Sequence, residues 1–391
     1  MKKILFLPLL RMQSGHHQVA DAIMDMIKIR DENITLKKVD IISYSNKTLE
    51  KLISKNYLNW IKIAPKSYDF IYQKRFFSSN RPKQILKFYE RYFLRKMYAL
   101  ISEEKPDLIV CTHGFPSYLI SKLKRMGRCN IPVINAYTDF FINNFWAKEG
   151  IELHFVPSKE VKENLIDIDH IPSEKIIVTG IPVHEEIIKI TTRTLQNVKP
   201  KLLIAGGNSG LGGILKLSTE LKNLKQYDFI VLCGNNEKLY DEIISWNTEN
   251  VQPLPYISSR EEMNDLYDQV DGIITKPGGV TISEALRKKL PVFIHSYLPG
   301  QEKINLSYLK EQRLVFELSS SKSLELQLDA ILKNTEKMDQ LEQSIDAFQQ
   351  QLEMEMPEHI IDVMNWVIDT KAKHMPLQPK APSIQLRAAQ F

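Results

Sequence analysis

The stretch KPGGVTISEALRKKLPV, residues 276–292, groups two glycines, two hydroxyls and a carboxylate where a strand pattern (DGIIT, 271–275) gives way to a helix pattern (ISEALRKK). Pro277, Gly278 and Gly279 allow a tight turn and a close backbone approach to a ligand, and the N-terminus of the following helix favours negative charge. Lys276 adds a cation, and Thr281 and Ser283 add hydroxyl donors. Glu284, an acceptor only when ionised, suits a diol such as a ribose. A carboxylate repels a diphosphate, so Glu284 is expected to face the sugar of a nucleotide, or else to serve as a charge partner for the helix N-terminus.

Other loops at strand ends carry usable groups. AGGNSGLGG, residues 205–213, follows the strand pattern LLIAG and has five glycines between 206 and 213. Backbone N–H groups of such a loop can cradle phosphate. The dinucleotide spacing fails because a third glycine would have to stand at Leu215, and no Gly-Lys-Ser/Thr follows, so a dehydrogenase and a P-loop ATPase are disfavoured. In LPGQEKIN, 298–305, Gln301 offers donor and acceptor to a hydroxyl, and Glu302 either accepts from hydroxyls or caps the next helix. In RMQSGHHQVADAI, 11–23, His16 stands at a strand-to-helix turn suited to a general base, with His17 equal on spacing alone. In NAYTDFFINNFW, 135–146, Thr138 and Asp139 end a strand, where Asp139 could orient a base, accept from a substrate hydroxyl or cap the next segment.

Strands must hold these loops. Strand and helix patterns alternate throughout, the signature of parallel α/β architecture. In the first half, strands are expected at 3–10, 34–42, 107–113, 132–139, 153–158 and 175–180, with helices at 16–29, in pieces over 47–100, at 116–126 and at 158–168. A second run places strands within 201–207 and at 228–234, 251–257, 271–275, 290–296 and 313–318, with helices between them and a last helix at 357–369. The division is therefore a first domain at 1–184, a linker at 185–200, a second domain at 201–369 and a tail at 370–391, mobile or reaching back over the first domain. Two doubly wound, Rossmann-like domains facing across a cleft would oppose their strand C-terminal ends, the place where ligands of such sheets bind.

The chain has 391 residues, 43% hydrophobic and 25% charged, an ordinary globular balance at a length sufficient for two cores. No run of about 18 apolar residues occurs, so no membrane span is expected. The start, MKKILFLPLLRMQSGHH, has only seven apolar residues before Arg11 and no small-residue cleavage site, and reads as a first strand rather than a signal peptide. Cys111, Cys129 and Cys233 lack metal spacing and suit buried thiols in a reducing cytoplasm. The net charge of +5 conceals an asymmetry: residues 47–100 carry 13 Lys/Arg against three acids, which is +10 and leaves −5 elsewhere. The same segment is rich in aromatics, including Tyr57, Trp60, Phe76 and Phe77. Basic plus aromatic fits a helical core with solvated lysines, an anionic membrane surface or, least well, nucleic acid.

At several of these places the chain resembles processive bacterial diacylglycerol glucosyltransferases and plant monogalactosyldiacylglycerol synthases. The resemblance covers roughly residues 1–350. It rests on SGHHQVADAI (14–23), KPDLIVCTHGFP (105–116), YTDF…W (137–146), VTGIPV (178–183), AGGNSGLG (205–212), CGNNEKL (233–239), DGIITKPGGVTISEALRKKLPV (271–292) and PGQEKIN (299–305). The pair of TKPGG-T-SEA and PGQE motifs is the specific signal. Two departures lie in the first half: LRMQSGHH stands where the family has a glycine-rich GxGxGH loop, and Asn143 stands where it often has His.

The resemblance implies a GT-B fold, with a UDP-sugar donor in the second domain and a lipid acceptor, diacylglycerol being one candidate, met by the first. By it, Glu284 would bind the uridine ribose. The diphosphate would lie on Gly207, Asn208, Gly210, Leu211 and Gly212 and on the Gly278, Gly279 and Thr281 turn, near Lys276. Gln301 and Glu302 would read the donor sugar and His16 would take the place of the first-loop His; His16 and Asp139 are the candidate catalytic residues. It implies inverting transfer of a hexose, taken here as glucose, without a bound metal or cofactor, consistent with the missing Asp-x-Asp. Residues 47–100 would dock the enzyme on the anionic inner face of the cell membrane, with no nucleic-acid partner. Transfer to a soluble acceptor and a non-catalytic nucleotide-sugar sensor are the competing readings.

Overall fold

Among the described residues the alternating patterns become twelve strands in two sheets of six, every pairing among them parallel. The structure is a computed structural model and describes residues 2–9, 14–45, 85–193, 199–206, 214–298 and 300–372.

The first domain runs β1 (Lys3–Leu7), α1 (Gly15–Arg30), β2 (Thr35–Lys38), α2 (Ile41–Ser45), α3 (Ile85–Glu104), β3 (Leu108–Cys111), α4 (Gly114–Arg125), β4 (Val133–Ala136), β5 (Leu153–Val156), α5 (Lys159–Asp167) and β6 (Ile176–Val178). The second runs β7 (Lys201–Ala205), α6 (Ser218–Asn223), β8 (Asp228–Leu232), α7 (Glu237–Ser245), β9 (Val251–Leu254), α8 (Arg260–Gln269), β10 (Gly272–Thr275), α9 (Gly279–Arg287), β11 (Val292–Ile294), α10 (Gln301–Glu311) and β12 (Phe316–Glu317). Three helices end the described chain: α11 (Leu324–Leu332), α12 (Thr335–Gln350) and α13 (Met356–Ala372).

Strand order is β2-β1-β3-β4-β5-β6 in the first sheet and β12-β11-β10-β7-β8-β9 in the second. In each, the direction of winding reverses once, between β1 and β3 and between β7 and β10. Those reversals open the crevices in which ligands of doubly wound sheets bind. The loops that border them carry His16, Thr112 and His113 in the first domain. In the second, the Lys276–Gly279 turn after β10 borders the crevice.

Both sheets are covered on both faces, as the two-residue period of a strand requires. Ile4 and Phe6 pack with Val19 and Ile23 of α1, while Leu5 and Leu7 pack on the other side with Met97 and Leu119. In the second sheet Ile273 faces α9 and α10, and Ile274 turns with Leu202 and Ile204 toward α6 and α11. The first of these cores is continuous through both domains.

Two segments tie the domains together. The linker lies along the second domain: Ile188 N donates to Asn264 Oδ1 at 3.0 Å and Ile190 N to Arg287 O at 3.2 Å. The Arg193 guanidinium donates to the carbonyls of Tyr267, Val270 and Lys288, closing the C-terminal ends of α8 and α9, where a cation also suits the helix dipole. Beyond α12, Glu353 N donates to Val178 O at 2.8 Å, and α13 packs against α1 and β3. The last helix, grouped by sequence with the second domain, thus lies on the first.

Most of the basic and aromatic segment falls outside the described residues. Its end, in α3, buries Phe93, Leu94 and Met97 and turns Arg91, Arg95 and Tyr98 outward. No described helix is long and apolar enough to cross a membrane.

Candidate active site

His16 sits in the first turn of α1, just beyond β1. Thr112, one residue past β3, donates its hydroxyl to His16 O at 2.8 Å. Thr138, two residues past β4, places Oγ1 2.8 Å from His16 Nδ1. Three neighbouring strands therefore converge on one histidine, Thr112 at its carbonyl and Thr138 at its imidazole. The His113 ring meets it edge-on with centroids 4.7 Å apart, and His113 Nδ1 accepts from Phe115 N to cap α4. Burial, and then the proximity of His17, lowers the His16 pKa to about 4. Burial also holds His113 well below the usual imidazole range. Both are neutral at neutral pH. His16, rather than His17, joins this cluster; His17 lies buried on the inner side of the helix.

Across from this cluster stands the N-terminus of α9. A Cβ on Gly279 would lie 2.1 Å from Thr138 O and 2.7 Å from Ile181 Cδ1, so only glycine permits the approach of the two domains here. Gly278, the N-cap, has open space where a Cβ would stand. The two glycines of the turn therefore differ: Gly279 meets the first domain and Gly278 borders the open side.

Asp139, next to Thr138, belongs to the same seam. Its Oδ1 accepts from Asn305 Nδ2 at 2.9 Å. Burial raises its pKa to about 6, Asn305 opposes that rise and the charge of Glu302 adds to it. Asn305, from α10, also donates to Pro277 O at 3.1 Å and accepts from Phe140 N at 2.9 Å. Sequence reasoning quoted Asn305 within PGQEKIN without giving it a role, since its partners are about 30 and 165 residues away in the chain.

Gln301 and Glu302 open α10 and are half-buried. Gly300 caps that helix with φ at 90°, a conformation glycine adopts without strain. Glu302 is held from two sides, by Lys276 Nζ at 3.2 Å and Leu298 N at 2.5 Å. Glu302 thus ties down the turn before its own helix and pairs the cation of the neighbouring strand end. Thr281 is half-buried on the first turn of α9. Glu284, one turn on, is 7% exposed and accepts from Tyr267 Oη at 2.8 Å. Burial pushes its pKa up, and the Tyr267 hydroxyl and the charge of Arg260 draw it back.

His295 was not anticipated. It is the first residue past β11, its N donates to Thr275 O at 3.3 Å, and its Nε2 is buried without a hydrogen-bond partner among the described residues. Burial and the nearby charges of Lys276 and Lys216 lower its pKa to about 4. The sequence reading placed it inside the strand expected at 290–296, so its position past the strand end gave no signal there. Gly207, Asn208, Gly210, Leu211 and Gly212 lie outside the described residues. Among the described residues no three His, Cys, Asp or Glu side chains are grouped to hold a metal.

Known proteins resemble this chain along most of its length. The family model for monogalactosyldiacylglycerol (MGDG) synthase matches residues 16–183. The uncharacterized glycosyltransferase YkoN of Bacillus subtilis (strain 168) is 41% identical over 351 residues, covering 89% of this chain and 93% of that protein. A processive diacylglycerol beta-glucosyltransferase of Bacillus cereus (strain B4264) is 27% identical over 380 residues, covering 94% and 95%. The crystal structure of MurG from Acinetobacter baumannii superposes with a TM-score of 0.59 at 15% identity, over 93% of this chain and 99% of that one, which shows a shared fold. The chain belongs to the glycosyltransferase family that includes the processive diacylglycerol glucosyltransferases and the monogalactosyldiacylglycerol synthases.

Proposed function

We propose that this glycosyltransferase moves a hexose, taken as glucose, from a UDP-sugar to a lipid hydroxyl, with diacylglycerol as the leading candidate, and inverts the anomeric carbon. The observation that carries the reading is the seam itself. The His16–Thr138–Asp139 cluster and the α9 N-terminus with Lys276 come from opposite domains and meet at the ends of their parallel strands.

In this reading the uridine ribose takes Glu284 through its diol. The diphosphate lies at the open Gly278 end of α9, beside Lys276 and the glycine-rich loop after β7. Gln301 and Glu302 read the sugar. An acceptor hydroxyl entering from the first domain gives its proton to Asp139 Oδ2. Its oxygen bonds the anomeric carbon from the face opposite UDP, and the breaking bond leaves its electron pair on the β-phosphate. The helix N-terminus and Lys276 stabilise that charge.

Two groups compete for the role of proton acceptor, and magnitude separates them. A base works best when its pKa lies near the operating pH. Burial raises Asp139 to about 6 and lowers His16 to about 4, so Asp139 lies nearer the operating pH. Asp139 therefore takes the proton, and His16, locked by Thr138, orients the hydroxyl. The Lys and Arg residues of 47–100 dock the chain on anionic lipid, each worth about 1 kcal/mol near the surface.

The test is UDP release from a panel of UDP-sugars, with and without anionic vesicles containing diacylglycerol. Release with one sugar that depends on vesicles is expected. Binding of UDP-sugar without release, with or without vesicles, would overturn the lipid-acceptor reading. Across pH, kcat/KM should be level above about 6 and fall below it as Asp139 protonates. A limb near 4 instead would move the role to His16.

A further inference from the structure

We propose that Asn305 is a positioning residue: it fixes Asp139 against the donor-side turn and holds its carboxylate in the ionised form that accepts the proton. The inference rests on the reading of Asp139 given above.

One carboxamide makes three bonds to two domains. Its oxygen accepts from Phe140 N at 2.9 Å, and its nitrogen donates to Asp139 Oδ1 at 2.9 Å and to Pro277 O at 3.1 Å. Both amide hydrogens are used. The orientation is forced by chemistry. Phe140 N can only donate, and the carboxylate and the carbonyl can only accept, so a flipped amide would face like against like at all three contacts. Asn305 is 1% exposed, so water does not stand in for it. It follows Gln301 by four residues and shares that face of α10, which joins the clamp to the residue proposed to read the sugar.

The clamp spans the seam that Gly279 makes possible. Asp139 and Phe140 belong to the loop after β4, and Pro277 belongs to the turn after β10. When the seam is closed, the proton acceptor is registered against the loop beside which the anomeric carbon must lie. A displacement of about 1 Å at such a site can cost on the order of a hundredfold in rate.

The charged and titratable neighbours fix the sign of the electrostatic effect. From α10, Glu302 disfavours ionisation of Asp139, and Lys276 partly neutralises Glu302. From the first domain, His16 reaches the adjacent Thr138 and His113 packs on His16. Burial also disfavours the charge. Against these stands the Asn305 N–H, which favours the charged form because it can only donate. Without that donor the carboxylate protonates at higher pH, and the acidic limb of kcat/KM moves upward.

The experiment measures pH profiles of UDP release for the full-length enzyme and for Asn305→Ala, Asn305→Asp and Asp139→Asn. Asn305→Ala is expected to raise the acidic limb by about one pH unit and to lower the plateau. Asn305→Asp keeps the acceptor for Phe140 N but sets a carboxylate against Asp139, so its limb should move further still. Asp139→Asn should lose turnover and the limb together. Asn305 variants that are slower but keep the wild-type limb would reduce the residue to a structural tie and overturn the inference. Full turnover in Asp139→Asn would instead remove the proton-acceptor reading on which it rests.

Discussion

Half-buried Asp139 and buried Glu284 are each raised in pKa by desolvation, and a neutral donor opposes the rise in each, Asn305 for the first and Tyr267 for the second. If Glu284 accepts from the ribose diol, Glu284→Ala removes bonds to a charged group worth about 1.5–3 kcal/mol, or roughly 10- to 150-fold in UDP affinity. Titration calorimetry with UDP checks this, and unchanged affinity would remove Glu284 from the donor site. Tyr267→Phe offers a finer test. Its hydroxyl favours ionised Glu284, so without it the carboxylate protonates at higher pH, and UDP affinity should begin to fall at higher pH as acid is added. The residue types at the strand ends were legible in the sequence because a histidine, an acid or a glycine just past a strand has few structural reasons to be there. Their partners were not. Nothing in KPGGVTISEA says that Glu284 accepts from a tyrosine 17 residues earlier, and nothing in PGQEKIN says that its asparagine reaches the other domain.

At the scale of elements, α9 shows how one short helix serves two surfaces. Its apolar positions Val280, Ile282, Ala285 and Leu286 are buried, while its N-terminus stands free at Gly278 and touches the first domain at Gly279. Paired substitutions separate these roles. Gly278→Ala meets no atom within 4 Å at an ordinary negative φ and should leave folding intact. Gly279→Ala would bring a methyl to 2.1 Å from Thr138 O, a backbone atom that cannot swing away, so the seam must open by more than 1 Å. A fall in kcat/KM of about a hundredfold or more is expected for Gly279→Ala. Gly279→Ala activity near that of Gly278→Ala would show that catalysis does not need the closed seam. Eleven of the twelve described strands lay within their expected segments, and β7 began at Lys201, one residue ahead of the expected LLIAG, because the period of two and the turn residues are local signals. The extra length given to 251–257 and 290–296 was not strand: pairing stops at Leu254 and Ile294, where the loops that carry function begin. Reading Gly278 and Gly279 alike as ligand-facing was the natural expectation, since close approach to a phosphate and close approach to another backbone demand the same absent Cβ.

The two domains are closed together by the last described helix. Ile360, Val363, Met364 and Val367 recur at the spacing of one helical face, and all are buried where α13 crosses to α1 and β3. A helix at this place was legible in the sequence but its destination was not, because an apolar stripe states that a face is covered and not by which domain. This crossing means that the first domain is completed by residues 356–372 and that the two domains should unfold as coupled units. Met364, with no exposed surface, carries the test. Met364→Ala should cost about 2–5 kcal/mol, the lost burial plus the cavity left behind. Asp369→Asn is the contrast: it removes a partner of Lys2 at 3.6 Å, but both side chains are more than a third exposed, so the change should be within about 1 kcal/mol. Urea unfolding of the full chain, followed by fluorescence and by circular dichroism, measures both. Coupling requires that Met364→Ala shift the two signals together to lower urea. A shift confined to part of the signal would show that α13 stabilises one domain alone, and no shift would mean that its apolar face contributes nothing to closing the molecule.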